Sequence, residues 1–295
     1  MSAAAIAEPR EVEAEITYLA PGSFINRRYV APGVEVNTGT YEPYRVRIRD
    51  GRPIAGTFSL DRHGFTLAKH MSAVRDFKDN AGIEAVYAAE VVALIKRLTG
   101  ADEVLGLGWM VRTSGALPKQ KVVNYQHKGG VQPPAGEAHV DFTPRCAEAR
   151  ARDLWAKSFP GAAPYRRFIA SSVWRTFSAP PQDTPLALCE GGSVRDEDGA
   201  QNTLVVVDQI PSREEMLKPI PGEEDAVAAT IFRHNPAHRW WYFSNMTRDE
   251  AIMLKFYDSD HSVAWRAPHT AFRDPSFPDA RVRESIEVRS LAFFR

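Results

Sequence analysis

Cysteine is nearly absent from this 295-residue chain: Cys146 and Cys189 are the only two. They form no CxxC motif, and a single pair builds no disulfide framework, so the expected compartment is a reducing one and the expected location cytoplasmic. An excess of one charge is also missing, since Lys plus Arg and Asp plus Glu both total 37. A nucleic-acid partner usually meets a basic excess or stripe, so none is expected. No stretch approaches the roughly 18 apolar residues of a spanning helix, and no membrane partner is expected either. The opening MSAAAIAEPREVEAEI has a short apolar stretch with no basic segment before it and four glutamates after it, which is not the pattern of a signal peptide. The default partner is a small molecule.

Several catalytic signatures are lacking too. Gly106-Leu-Gly108 stops short of GxGxxG, and there is no GxxxxGK[ST], HExxH or GxSxG. Nicotinamide, nucleoside-triphosphate, zincin and serine-hydrolase readings thereby lose their usual support.

What is present is mostly strand pattern. Residues 1–15 read as a flexible arm, and residues 16–295 as one domain, with a strand and helix part over 16–103 and a β core over 104–295. Tyr44-Arg-Val-Arg-Ile-Arg alternates polar and apolar and stops at Asp50-Gly51, a turn signal. Residues 83–98 carry apolar side chains at helical spacing, with Gly100 placed as a C-cap. Residues 149–157 suggest a shorter helix. From Val104 on, short runs rich in Val, Ile, Phe, Trp and Tyr follow one another: VLGLGWMVR, KVVNY, EAHVDF, SVWRTF, PLALCE, TLVVVDQI, ATIFRH, RWWYFSNM, AIMLKFYD, SVAWR and VRESIEVRSLAFF. Gly191–Asn202 reads as a polar surface loop. One long helix followed by about ten strands excludes a βαβ protein and predicts a mainly β sandwich or barrel with helices on an outer face.

One motif carries chemistry. His139-Val-Asp141 sits in such a strand run. Residues i and i+2 of a strand share a face, with Cα atoms roughly 6.5 Å apart, so an imidazole and a carboxylate converge on one ion. A further histidine from a distant strand completes a two-histidine, one-carboxylate facial triad, the donor set of non-haem Fe(II) oxygenases. His269 is the candidate, with His261 its rival behind Asp258-Ser-Asp260; His234 and His238 bracket Asn235-Pro236 and read as structural. After His269, residues 281–289 alternate: Arg281, Arg283, Ser285, Glu287 and Arg289 on one face, Val282, Glu284, Ile286 and Val288 on the other. Turned inward, the polar face offers an Arg-x-Ser pair to a carboxylate, with Arg283 and Ser285 first and Arg281 as an alternative. Trp174, Arg175, Arg112 and Arg239 are the candidates for substrate contact.

The order HxD, late His, Arg-x-Ser resembles that of the double-stranded β-helix (jelly-roll, cupin-like) 2-oxoglutarate oxygenases. The chain more closely resembles the hydroxylase/desaturase group typified by AsaB-like proteins and the cephamycin 7α-hydroxylase component. The matching stretches run from about Tyr44 to the end. They include Leu60-Asp-Arg-His-Gly-Phe65, Ala138–Pro144, Ser172-Val-Trp-Arg175, His234-Asn-Pro-Ala-His-Arg-Trp-Trp-Tyr-Phe243 and Pro268-His-Thr-Ala-Phe272. The resemblance implies Fe(II), with 2-oxoglutarate and O₂ as cosubstrates, and hydroxylation or desaturation of an unactivated C–H of a small organic molecule, in secondary metabolism. It leaves open the oligomeric state and a second protein subunit. An intact Asp141 argues against halogenation, which needs that metal position for halide. The rival readings are a non-catalytic small-molecule-binding β-barrel and a metal-dependent hydrolase or isomerase using Zn²⁺ as a Lewis acid.

Overall fold

The computed structural model describes residues 10–116 and 131–295. The run KVVNY lies outside them. The described strands are, in chain order, β1 (Glu11–Leu19), β2 (Arg27–Ala31), β3 (Val34–Asn37), β4 (Tyr41–Asp50), β5 (Phe65–Lys69), β6 (Glu103–Thr113), β7 (Val131–Gln132) and β8 (His139–Val140). They continue as β9 (Arg167–Thr176), β10 (Leu186–Cys189), β11 (Gly199–Val206), β12 (Ala228–Phe232), β13 (Trp240–Tyr242), β14 (Glu250–Asp258), β15 (His269–Ala271) and β16 (Glu284–Phe294).

They make two sheets. The major one has the order β1-β4-β13-β10-β15-β8-β12-β11-β2-β3, the minor one β5-β14-β9-β16-β6-β7. The main core joins the two: Ile16, Ile48, Leu188 and Tyr242 of the major sheet cluster with Phe168, Trp174, Leu254 and Phe256 of the minor. The architecture is a jelly-roll, as the strand-rich second half predicts.

Helix α1 (Ala88–Thr99) covers the outer face of the minor sheet. Val91, Leu94 and Ile95 are its buried side chains, at the i, i+3, i+4 spacing of one helical face. They pack on Val173, Met253, Ile286 and Val288. Gly100 ends the helix at φ +73°, its N–H donating to the Lys96 carbonyl, a left-handed C-cap that glycine adopts without strain. The minor sheet is therefore buried on both faces. That is why β16 has buried polar and buried apolar residues alternating along it.

Helix α2 (Pro144–Ser158) begins three residues after the HxD motif. Thr143 caps it, its hydroxyl accepting from the Cys146 N–H at 3.2 Å. Ala147, Ala151 and Trp155 form its buried face.

Four sequence expectations change. Residues 11–15 are no arm: they open β1, whose whole length pairs with β4. The division at 103/104 is not architectural either, because β1 to β4 complete the major sheet and β5 the minor. Gly191–Asn202 is two short 3-10 turns that run into β11, and SVAWR forms no strand. Gly106-Leu-Gly108 has a structural purpose. The register of β16 on β6 passes from Arg289↔Gly108 to Ser290↔Gly106, so Leu107 is an extra residue, a β-bulge. Gly108 sits at φ +110°, a conformation closed to side chains with a Cβ.

Candidate metal centre

His139 and His269 are direct cross-strand partners, β8 against β15. Their ring centroids lie 4.4 Å apart. Asp141 follows one residue past the end of β8. One donor atom each from His139, Asp141 and His269 lies within 4.8 Å of the others. His261 is elsewhere: it is exposed and stacked on Trp265, centroids 4.5 Å apart.

The donor chemistry suits a divalent cation. His139 Nδ1 lies 2.8 Å from the Glu137 carbonyl and His269 Nδ1 3.4 Å from the Ala267 carbonyl. A carbonyl only accepts, so each Nδ1 carries the proton and each neutral ring leaves Nε2 with its lone pair. His139 Nε2 faces Asp141 Oδ1 at 3.3 Å. Burial presses His269 toward neutrality, to a pKa of about 3, with His139 adding to the shift. Burial would raise the Asp141 carboxyl, but the Arg289 guanidinium and His139 outweigh it and hold it well below the carboxylate range. Burial opposes a charge on His139, and Asp141 more than offsets it, so without an ion a proton is drawn to that ring. With an ion in place of that proton, two neutral imidazoles, both buried, and an ionised, half-buried carboxylate fit the facial triad of Fe(II).

A small cavity joins the two histidines to the inner face of the minor sheet. His139, His269, Ser172, Trp174, Arg112 and Arg283 line it, with Leu186 and Leu254 among its apolar walls. The polar side of β16 does turn inward: Arg283, Ser285 and Glu287 are all buried. Arg283 Nη1 donates to the Thr184 carbonyl at 2.8 Å, and its guanidinium stands over the Trp174 ring, 5.6 Å from the centroid. Arg283 Nε, Ser285 Oγ and Ser172 Oγ are buried without a hydrogen-bond partner among the described residues. Burial and the neighbouring Arg112 bring the Arg283 pKa down to about 9, the mark of a cation short of counter-charge.

The other expected contacts divide. Trp174 and Arg112 reach the cavity; Arg112 is bound to Glu287 at 3.1 Å and to the Pro133 carbonyl at 2.9 Å. Arg175 does not reach it. One residue along β9 from Trp174, it points to the opposite face, where it donates to the Tyr87 hydroxyl, the Arg248 carbonyl and His70 Nδ1. Strand alternation alone forbids Trp174 and Arg175 from sharing the cavity. Arg239 precedes β13 and forms a surface pair with Glu190 at 2.8 Å. Arg281 is exposed, because continuous pairing of β16 begins only at Glu284. Glu287 and Arg289, on the same alternation as Arg283, belong to the site although no role was expected of them. Arg289 Nε meets Asp141 Oδ2 at 2.5 Å, and its Nη2 donates to Glu287 Oε1 at 2.9 Å.

A family model described as an oxidoreductase/YMDC permease-like domain matches residues 16–293; no helix among the described residues is long and apolar enough to cross a membrane. The chain is 30% identical to the Fe(II)/2-oxoglutarate-dependent dioxygenase nvfI of Aspergillus novofumigatus, over 89% of this chain and 87% of that one. It is 32% identical to the hydroxylase/desaturase efuI of Hormonema carpetanum, over 86% and 85%. Among solved structures it superposes on an iron and alpha-ketoglutarate-dependent endoperoxidase, NvfI, with a TM-score of 0.76 at 29% identity, covering 96% of this chain and 98% of that one. The two-histidine, one-carboxylate cluster and the relatives agree: the chain belongs to the Fe(II)/2-oxoglutarate-dependent dioxygenases, in the group that contains the fungal hydroxylase/desaturases.

Proposed function

We propose that His139, Asp141 and His269 hold the Fe(II), and that Arg283 with Ser285 receives the distal carboxylate of 2-oxoglutarate. The observation that carries this is the state of Arg283: it is buried, faces the same cavity as His139 and His269, and among the described residues has only a neutral carbonyl as its side-chain hydrogen-bond partner. Of the nearby carboxylates, Asp141 is paired with Arg289 and Glu287 with Arg112, while Asp183 accepts from the Arg283 backbone N–H and the Ser114 hydroxyl rather than from the guanidinium. An unmatched buried cation calls for an anion, and a planar guanidinium beside a hydroxyl suits a carboxylate.

Fe(II) with 2-oxoglutarate and O₂ supplies, at the cost of succinate and CO₂, an oxidant able to take hydrogen from an unactivated C–H bond. The chain's own contribution is placement. Arg283 and Ser285 fix the far end of the cosubstrate on the minor sheet while the triad stands on the major one. Trp174, Leu186 and Leu254 keep water from the remaining space, which protects a reactive oxidant and holds the target carbon. The product is an alcohol or an alkene of a small organic molecule, in the manner of the hydroxylase/desaturase relatives, and the setting is secondary metabolism in a reducing cytosol, in keeping with two free cysteines.

Anaerobic addition of Fe(II) and 2-oxoglutarate tests the assignment. The expected result is a weak visible charge-transfer band that requires both additions and disappears in Asp141→Ala. A band that survives in Asp141→Ala, or none in the unaltered protein, overturns it.

A further inference from the structure

The two oxygens of Asp141 have different neighbours. Oδ1 faces His139 Nε2 at 3.3 Å, and Oδ2 meets Arg289 Nε at 2.5 Å in an ion pair whose angles are not those of a hydrogen bond. Arg289 comes from the other sheet and is itself gripped, its Nη2 donating to Glu287 Oε1 at 2.9 Å. Glu287 in turn accepts from Arg112 Nη2 at 3.1 Å, and Arg112 Nη1 ends on the Pro133 carbonyl at 2.9 Å. A continuous chain of charge-assisted contacts thus runs from the segment just before β8, across the floor of the cavity, to the metal-facing carboxylate. On β6 the residue paired with Arg289 is Gly108, at the bulge.

We propose that Arg289 is a positioning residue for the metal centre: it reserves Asp141 Oδ2, so that Oδ1 alone is presented toward His139 and His269, and Glu287 holds Arg289 in that pose. The proposal rests on the reading of His139, Asp141 and His269 as metal ligands. An outer partner of a ligating carboxylate fixes its orientation, and its loss typically weakens metal affinity about 10- to 100-fold.

The sign of the effect separates positioning from simple charge. A guanidinium beside a cation site repels the cation, so a purely electrostatic Arg289 opposes metal binding and its removal tightens it. A positioning Arg289 predicts the reverse.

The test is Co(II) binding under anaerobic conditions, with the metal alone, to the full chain. Titrations cover the unaltered protein, Arg289→Gln, Arg289→Lys, Glu287→Gln and His139→Ala, each with the visible Co(II) spectrum and the metal-free melting temperature. Arg289→Gln is expected to bind Co(II) about 10- to 100-fold more weakly, with altered band shape and intensity. Arg289→Lys keeps the charge and loses the fork, and is expected to fall between. Glu287→Gln is expected to shift the spectrum in the same sense, because it acts through Arg289, and it carries the test if Arg289→Gln does not fold. Unchanged or tighter binding with an unaltered spectrum in folded Arg289 variants overturns the proposal. If His139→Ala binds Co(II) as well as the unaltered chain, the ligand assignment itself is what fails.

Discussion

At the scale of single residues, the proposed assignment gives metal and cosubstrate different residues of the cavity, and substitutions should separate them. Arg283→Ala removes a desolvated, charge-assisted contact, which costs roughly 2–5 kcal/mol, or about 30- to several-thousand-fold in 2-oxoglutarate affinity. Metal affinity is expected to stay nearly unchanged, since Arg283 hydrogen-bonds Thr184 and no triad member. Arg283→Lys should recover part of the loss, and exposed Arg281→Ala none of the effect; isothermal titration of 2-oxoglutarate into the anaerobic Co(II) form reads all three. His139→Ala and Asp141→Ala should abolish metal binding while the far-ultraviolet circular dichroism stays native, and His261→Ala should match the unaltered protein in both. The grouping of His139 with Asp141 was legible because HxD is a local pattern and period-two alternation places i and i+2 together. Arg175 and Arg239 misled because composition says that an arginine is in a strand, not which face it takes. Trp174 and Arg175 cannot both line one cavity, and only the partners of β9 decide between them. Arg289 was within reach of the same alternation that singled out Arg283, but its partner Asp141 is 148 positions away by number, and long-range ion pairs leave no local trace.

At the scale of elements, helices and buried strands differ in how openly the sequence declares them. Helix α1 announces itself through its spacing and Gly100. β5, β2 and β3 are short or lie beside turns, and their pairing is settled by distant partners: β5 adds to β14, and β2 runs parallel to β11. β1 was hidden for another reason. Glu11, Glu13 and Glu15 look like a solvated tail, yet they face Arg49, Arg47 and Arg45 on β4 while Val12, Ala14 and Ile16 enter the core. The acidic alternation was half of a cross-strand ladder. The β6 bulge gives an element-level prediction. Gly108→Ala places a Cβ at φ +110°, a strain of about 1–3 kcal/mol. A lower melting temperature is expected; a Cβ there meets nothing within 4 Å, so Co(II) affinity should fall only if the strained backbone shifts its partner Arg289. Thr143→Ala removes the cap of α2 and is expected to cost about 1 kcal/mol without altering Co(II) affinity. The pair of titrations distinguishes a bulge that serves the centre from one that serves folding alone.

At the scale of the whole molecule, the proposed assignment puts the two ligands of the reaction on opposite walls. His139 and His269 stand on the major sheet, with Asp141 just past β8, and Arg283 immediately precedes β16 of the minor sheet. A metal alone therefore ties groups within one wall, whereas 2-oxoglutarate bound with it ties the walls together. Thermal unfolding should report this linkage. At a ligand concentration about 100 times its dissociation constant, binding to the folded state alone adds roughly 2.7 kcal/mol, and in a chain of this size that is several degrees. The expected pattern is a rise with Co(II), a further rise with 2-oxoglutarate only when Co(II) is present, and neither in His139→Ala. The pairing of His139 with His269 has one more consequence. Because neighbouring strands set the separation of the two imidazoles, the ligand pair exists before any ion arrives, and chelation should strip the centre without unfolding the chain, unlike a zinc finger. A template prepared in advance is also indiscriminate. Divalent ions above iron in the Irving–Williams series, nickel, copper and zinc among them, will compete for it, so the catalyst's working fraction in a cell is set by which metals are freely exchangeable around it.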